Sequence, residues 1–283
     1  MVYYLPILGA IALAGGTILE RIDLKRKKVG ITLYQTASFM AIVLCLLPLI
    51  YFFWKMEPGA FAAKNIIILS LVIVFSIIGN LLIFYSLKWE KVGNLEPARV
   101  LEPLFVIVLA IIFSFFSEGL YERNLKIIIP AIIAALALVF SHIKKHHLTF
   151  NPYFIAAIFG SFFFALELVL SRLILNFYSP VSFYFVRSFS IFLISFLIFK
   201  PDFKKLNKTV RWQIFATGFI WVIYRLVVYY GYLNIGVIFT TLILMLGPIF
   251  IYLLAHFVLK ERMSWRNFVA AIIIVCAVVY AMI

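Results

Sequence analysis

LEPLFVIVLAIIFSFFSEGLYERN occupies residues 101–124, and LGPIFIYLLAHFVLKERMSWRN occupies residues 246–267. Each opens on Leu-x-Pro, continues as an apolar run and closes on a short hinge before a second apolar run. The hinge is Glu118…Arg123-Asn124 in the first stretch and Glu261…Arg266-Asn267 in the second. Pro103 and Pro248 stand 145 positions apart, and Asn124 and Asn267 stand 143 apart. Two hairpins with one layout, half a chain apart, point to a duplicated unit, and duplicated membrane units are a common way to build a transporter.

The composition names the solvent. Of 283 residues, 66% are hydrophobic and only 13% charged, so a water-soluble domain would expose apolar surface on every side. Spanning the hydrocarbon core takes roughly 20 apolar residues as a helix, because every backbone polar group must be satisfied internally. Ten such runs are predicted. In the first half they are Val2–Leu19, Ile31–Trp54, Asn65–Leu87, Leu95–Ser117 and Leu125–His142. In the second they are Pro152–Ile174, Pro180–Phe199, Trp212–Leu233, Gly236–Leu259 and Asn267–Ile283. Their apolarity is continuous rather than alternating, which argues against an outer-membrane barrel. Met1–Leu19 lacks the basic start of a secretory signal and reads as the first helix.

The connections are short, the longest being Glu20–Gly30 and Lys200–Arg211, which leaves no room in them for an ATP-hydrolysing domain. Cys45 and Cys276 read as small core residues, not a disulfide. A net charge of +14 could suggest nucleic acid, but the basic residues collect in loops between apolar runs. Examples are Arg21, Lys25, Arg26, Lys27 and Lys28, and then Lys200, Lys204, Lys205, Lys208 and Arg211. That is the orientation code of a membrane protein with its basic loops cytoplasmic, and it places both termini outside. No nucleic-acid partner is expected.

The repeat reaches beyond the hairpins. Tyr85 aligns with Tyr230 at the same offset of 145, and Arg21 aligns with Arg172 at 151. Each half then holds five helices, residues 1–145 and 146–283, and an odd number inverts the second half relative to the first. The predicted fold is an all-α integral membrane protein of ten transmembrane helices in two inverted five-helix repeats, with substrate near the midplane between them.

Leu246-Gly247-Pro248-Ile249-Phe250, leading to Leu259-Lys260-Glu261-Arg262-Met263-Ser264, resembles the P-x-x-x…G-E-R-x-S helix pair of the EamA-type drug/metabolite transporters, with Lys260 where Gly is usual. Ser179-Pro180 followed by Arg187 resembles the S-P…R-F start of that family's seventh helix. The resemblance covers essentially the whole chain. In the first half Thr36 stands where the repeat would place the counterpart of Arg187. Family members commonly keep both termini in the cytoplasm, opposite to the charge count. The resemblance implies a multi-pass plasma-membrane transporter with no cofactor, working as a monomer or homodimer.

Each charge at a helix centre costs about 2.5–3.5 kcal/mol on insertion scales and needs a partner or a water-filled cavity. Six residues qualify: Glu96, Arg99, Glu102, Glu167, Arg187 and Arg225. Glu96, Arg99 and Glu102 follow one another at three-residue spacing, giving a salt-bridge ladder on one helix face. Pro97 and Pro103 free carbonyls in that stretch. The ladder reads as cavity wall or as an interfacial lock. Arg225 has Trp221 and Tyr229 four residues away on either side, suiting cation–π contact or a clamp on a substrate carboxylate or phosphate. Its alternative is a permanent bridge to Glu102 or Glu167. Glu167 has no base at three- or four-residue spacing, so it either carries a coupling proton or pairs with Arg187. Tyr85, Tyr224, Tyr229 and Tyr230 are candidates for cavity lining.

His142 and His146 have metal-ligand spacing, but Lys144 and Lys145 lie between them with no carboxylate nearby, so no metal is expected. No H-E-x-x-H, P-loop or G-x-S-x-G motif is present, and no catalytic residue is assigned. The expectation is a secondary transporter of a small metabolite, an amino acid or similar solute, by alternating access and with proton coupling. The alternative is a lipid-handling flippase or intramembrane enzyme.

Overall fold

The computed structural model describes residues 4–26, 29–90, 92–117, 119–142, 151–250 and 265–283. Every regular element among them is helical. The helices are α1 (Leu5–Leu24), α2 (Ile31–Phe53), α3 (Ala63–Trp89), α4 (Val92–Arg99), α5 (Leu101–Ser114), α6 (Leu125–His142), α7 (Pro152–Ile174), α8 (Pro180–Phe199), α9 (Lys208–Asn234), α10 (Val237–Leu244) and α11 (Trp265–Met282). Among the described residues, eight stretches are long and apolar enough to cross a bilayer, and Leu125–Ser141 and Val237–Phe250 are shorter apolar helices.

Local chemistry sets several starts. Asn151 accepts from the Phe154 amide, Ser179 from Ser182 and Asn207 from Val210. The first two are followed by Pro at the position where its missing N–H costs nothing. Asn207, the first residue of an Asn-Lys-Thr sequence, thus serves as the cap of α9.

Two predicted helices are not continuous. The expected run Leu95–Ser117 breaks at Val100 into α4 and α5, and the expected run from Gly236 breaks at Met245. The cause is the same at both. Pro103 has no N–H to offer the Arg99 carbonyl, and Pro248 none for Leu244. The breaks are 145 residues apart (245 − 100), the spacing of the two prolines. The remainder of the ninth predicted helix, residues 251–259, lies outside the described residues, as do Lys144, Lys145, His146 and His147. A third difference is that α1 continues to Leu24, not Leu19, so Glu20 and Asp23 are helical and buried rather than in a loop.

The helices pack in matched pairs: α3 on α7, α1 on α9, α2 on α8, and α6 on α11. Exchanging the first five helical positions with the second five turns α3–α7 into α9–α1 and maps the other two pairs onto themselves. Packing is close enough to need glycine where α3 crosses α7. A Cβ on Gly160 would lie 2.8 Å from Ile83 and 3.3 Å from the Gly79 carbonyl, the small-residue contact by which membrane helices approach. The outer surface is apolar, with exposed Tyr51, Phe52, Phe53 and Trp54 ending α2. Cys276 is on that exposed surface and Cys45 is half-buried, so only the latter contributes to packing; both are free thiols.

Candidate functional site

Ser76, Glu167, Arg187 and Arg225 stand in α3, α7, α8 and α9, each at least seven residues from either end of its helix. They meet. Arg187 Nε is 3.1 Å from Glu167 Oε1, and Arg225 Nη1 is 3.2 Å from Glu167 Oε2. Tyr229 donates to Glu167 Oε1 at 3.1 Å, and Ser171 Oγ lies 3.3 Å from the same oxygen. Arg187 donates from Nε and Nη2 to Ser76 Oγ at 3.0 and 2.6 Å. Glu167 is completely buried, so its charge is held by two guanidiniums and a phenol instead of water; the Ser171 hydroxyl donates to the Glu167 carbonyl at 2.7 Å.

The two arginines are not equivalent. Arg187 is pinned by Ser76 and Glu167, and its side chain is 2% exposed. Arg225 is 10% exposed on its side chain. Its Nη1 is at ion-pair distance from Glu167, yet it makes no hydrogen bond there. Arg225 also lies over the rings of Phe164 and Tyr224, 5.9 and 5.7 Å from their centroids. The predicted Trp221–Tyr229 sandwich is not formed, because Tyr229 turns to Glu167; Trp221 instead packs edge-on to Tyr224.

A cavity of about 70 Å³ opens beside the arginines, lined among others by Arg99, Glu102, Arg187, Trp221 and Arg225. A more apolar cavity of about 90 Å³ shares Arg99 and Glu102 and lies between the two helix breaks, with Pro103 on one side and Pro248 on the other. Both are far below the roughly 300 Å³ at which small-molecule pockets begin, so this conformation is closed on a solute of metabolite size.

The predicted ladder is interrupted by the break at Val100. Arg99 reaches Thr17 at 3.4 Å, Glu102 faces Arg225 and Arg99, and the Glu96 side chain lies outside the described set. Tyr224 lines both cavities, whereas Tyr85 and Tyr230 point outward, each 37% exposed, with Tyr85 against Tyr153. Sequence reasoning missed Ser76, one of three serines in α3, and Phe164. It also missed the buried acids Glu20 and Asp23, whose three-residue spacing was the available signal. Among the described residues no group of three His, Cys, Asp or Glu side chains is placed to hold a metal.

An all-helical, multi-pass membrane protein with a buried charge cluster and two helices broken beside its cavities has the architecture in which membrane transporters hold their sites. Residues 151–283 match the EamA-like transporter family. A solved crystal structure of a protein superposes over 99% of this chain and 98% of its own length with a TM-score of 0.69, at 15% sequence identity, a likeness of fold. No curated protein matches the chain in sequence.

Proposed function

We propose that the protein is a secondary transporter of a small organic solute bearing a carboxylate, of the amino-acid class, in the plasma membrane. Its two five-helix halves, residues 1–145 and 146–283, are inverted relative to one another and rock about the site between them. It works as a monomer or homodimer and needs no cofactor. The substrate anion takes the open side of Arg225, and a cationic group takes Glu102. Apolar substituents enter the space between Pro103 and Pro248.

The observation that carries this reading is the asymmetry of the two arginines. Both arginines border the cavity and sit at ion-pair distance from Glu167, but Arg187 is also tied to Ser76 by two hydrogen bonds, while Arg225 Nη1 makes none. A guanidinium in that state can exchange part of its contact with Glu167 for a substrate carboxylate.

The test is thermal unfolding of the purified protein against amino acids, nucleotides, sugars, choline-like cations and lipid headgroups. A ligand that binds only the folded state raises the midpoint by mass action. A carboxylate-bearing solute should raise it, and the rise should vanish in Arg225→Gln but persist in Lys204→Ala. A shift with lipid headgroups alone would overturn the reading in favour of lipid handling.

A further inference from the structure

A second buried acidic site lies nearer the basic end of the molecule. Glu20 and Asp23, 5% and 1% exposed, fall one turn apart on the face of α1 that packs against α9. Asp23 is in the last turn of its helix, where the dipole opposes negative charge, and Glu20 stands just before it. Neither has an ion pair within 4 Å among the described residues. Resting on the transport reading above, we infer that Glu20 and Asp23, with Tyr34 and Thr217, form a binding site for the coupling cation, a proton or a sodium ion, separate from the Glu167 cluster.

The donor set is oxygen throughout, the chemistry that a small hard cation takes. Asp23 Oδ1 is buried without a hydrogen-bond partner, and so is the hydroxyl of the fully buried Tyr34. That phenol lies within electrostatic reach of both carboxylates and lines one cavity with Glu20. Thr217 Oγ lies 2.9 Å from the Gln213 carbonyl and 3.2 Å from Asp23 Oδ2. One hydroxyl proton cannot serve two acceptors. When Thr217 donates to Gln213, its lone pairs face Asp23 and a positive charge belongs between them. When the cation leaves, the hydroxyl turns to Asp23.

The neighbouring charges are placed to modulate this site without closing it. Arg26, after α1, faces Asp23 but donates to Gln213 Oε1 at 2.5 Å. Arg99 of α4 faces Glu20 while reaching Thr17. Lys88 of α3 donates to the Val29 carbonyl. From α9 the Trp221 indole meets Glu20, and α10 offers no ionisable group. Glu20 and Tyr34 line the same cavity as Glu102, Arg187 and Arg225, so cation occupancy and substrate occupancy share one space. Glu167, by contrast, has a guanidinium at ion-pair distance from each of its oxygens.

Trp221 supplies a readout that needs no substrate. The full-length protein in detergent is titrated with NaCl against choline chloride at fixed pH, and separately with pH in sodium-free buffer, while tryptophan fluorescence is followed. The expected result is a saturable change that disappears in Trp221→Phe, Glu20→Gln and Asp23→Asn. Response to NaCl but not choline chloride identifies sodium, and response to pH alone identifies the proton. Should Glu20→Gln not fold, the isosteric Asp23→Asn carries the test. No change in the native protein with either cation overturns the inference, as does a full response in folded Glu20→Gln/Asp23→Asn. In liposomes, Glu20→Gln should lose gradient-driven accumulation of solute. A cation response without movement of any solute would instead overturn the transport reading and leave the site standing.

Discussion

Glu167 and the Glu20/Asp23 pair are all carboxylates buried beyond the reach of bulk water, yet their surroundings differ completely. Glu167 has a guanidinium at ion-pair distance from each oxygen, Arg187 at one, where Tyr229 also donates, and Arg225 at the other. The acids of α1 share a threonine hydroxyl already engaged elsewhere, an indole and two arginines with other partners. Desolvation makes any buried charge costly, so the number of partners decides what the residue can do. A compensated carboxylate locks helices together, and an uncompensated one responds to what enters. The cluster around Glu167 is drawn almost wholly from the second half and reaches the first through Ser76. The α1 pair instead spans the halves through α9.

The largest effect should come from cutting the lock. Glu167→Gln leaves two buried guanidiniums facing a neutral amide, and breaking a buried ion pair by removing one partner costs about 3–5 kcal/mol. Denaturant or thermal unfolding in detergent should therefore show a large loss for Glu167→Gln and little for Glu20→Gln. Equal losses would erase the distinction between the two sites. Next in size is Gly160→Val. Its added side chain meets Ile83 and the Gly79 carbonyl at the α3–α7 crossing, and overpacking of a tight interface costs about 1–3 kcal/mol. Because that crossing holds Ser76 against Arg187, the variant should lose substrate binding together with stability, whereas the cation response at α1 should remain.

The parts of this picture that the sequence made legible are those in which one residue states its own cost. Continuous apolar runs could be read as spans, and Leu-x-Pro at a 145-residue offset marked both breaks, although the breaks themselves were read as continuous helix. Glu167, Arg187 and Arg225 stood out because charge is expensive in a bilayer. Pairing was harder, since it depends on which helices cross. Nothing in α3 singles out Ser76 from its other serines. Glu20 and Asp23 were hidden by the basic residues that follow, which pulled them into a loop. A helical reading would have caught them: Gly9, Gly16, Glu20 and Asp23 are spaced by seven, four and three, one face of a helix. Gly9 and Gly16 are where Val227 and Trp221 of α9 come closest. Aromatic spacing around Arg225 misled for the opposite reason, because Tyr229 is drawn away by a stronger polar partner.

The smallest effect separates the two arginines within the lock. Tyr229 is fully buried, touches the edges of Phe183 and Tyr184, and gives its hydroxyl to Glu167 Oε1, the oxygen that Arg187 also holds. Tyr229→Phe keeps the ring packing and removes one hydrogen bond to a charged group that retains its other partners. The stability cost should be about 1 kcal/mol, a modest fall in the unfolding midpoint. The more telling measurement is substrate affinity in the same variant. With less donor density on Oε1, Glu167 should draw harder on both guanidiniums, and Arg225 is the one free to respond, since Arg187 is tied to Ser76. Substrate should then bind more weakly in Tyr229→Phe, and Arg225→Gln should abolish any further difference between Tyr and Phe at position 229. An affinity unchanged by Tyr229→Phe would mean that Arg225 does not divide its contacts between Glu167 and the ligand, and the contrast between a pinned and an exchanging arginine would fall.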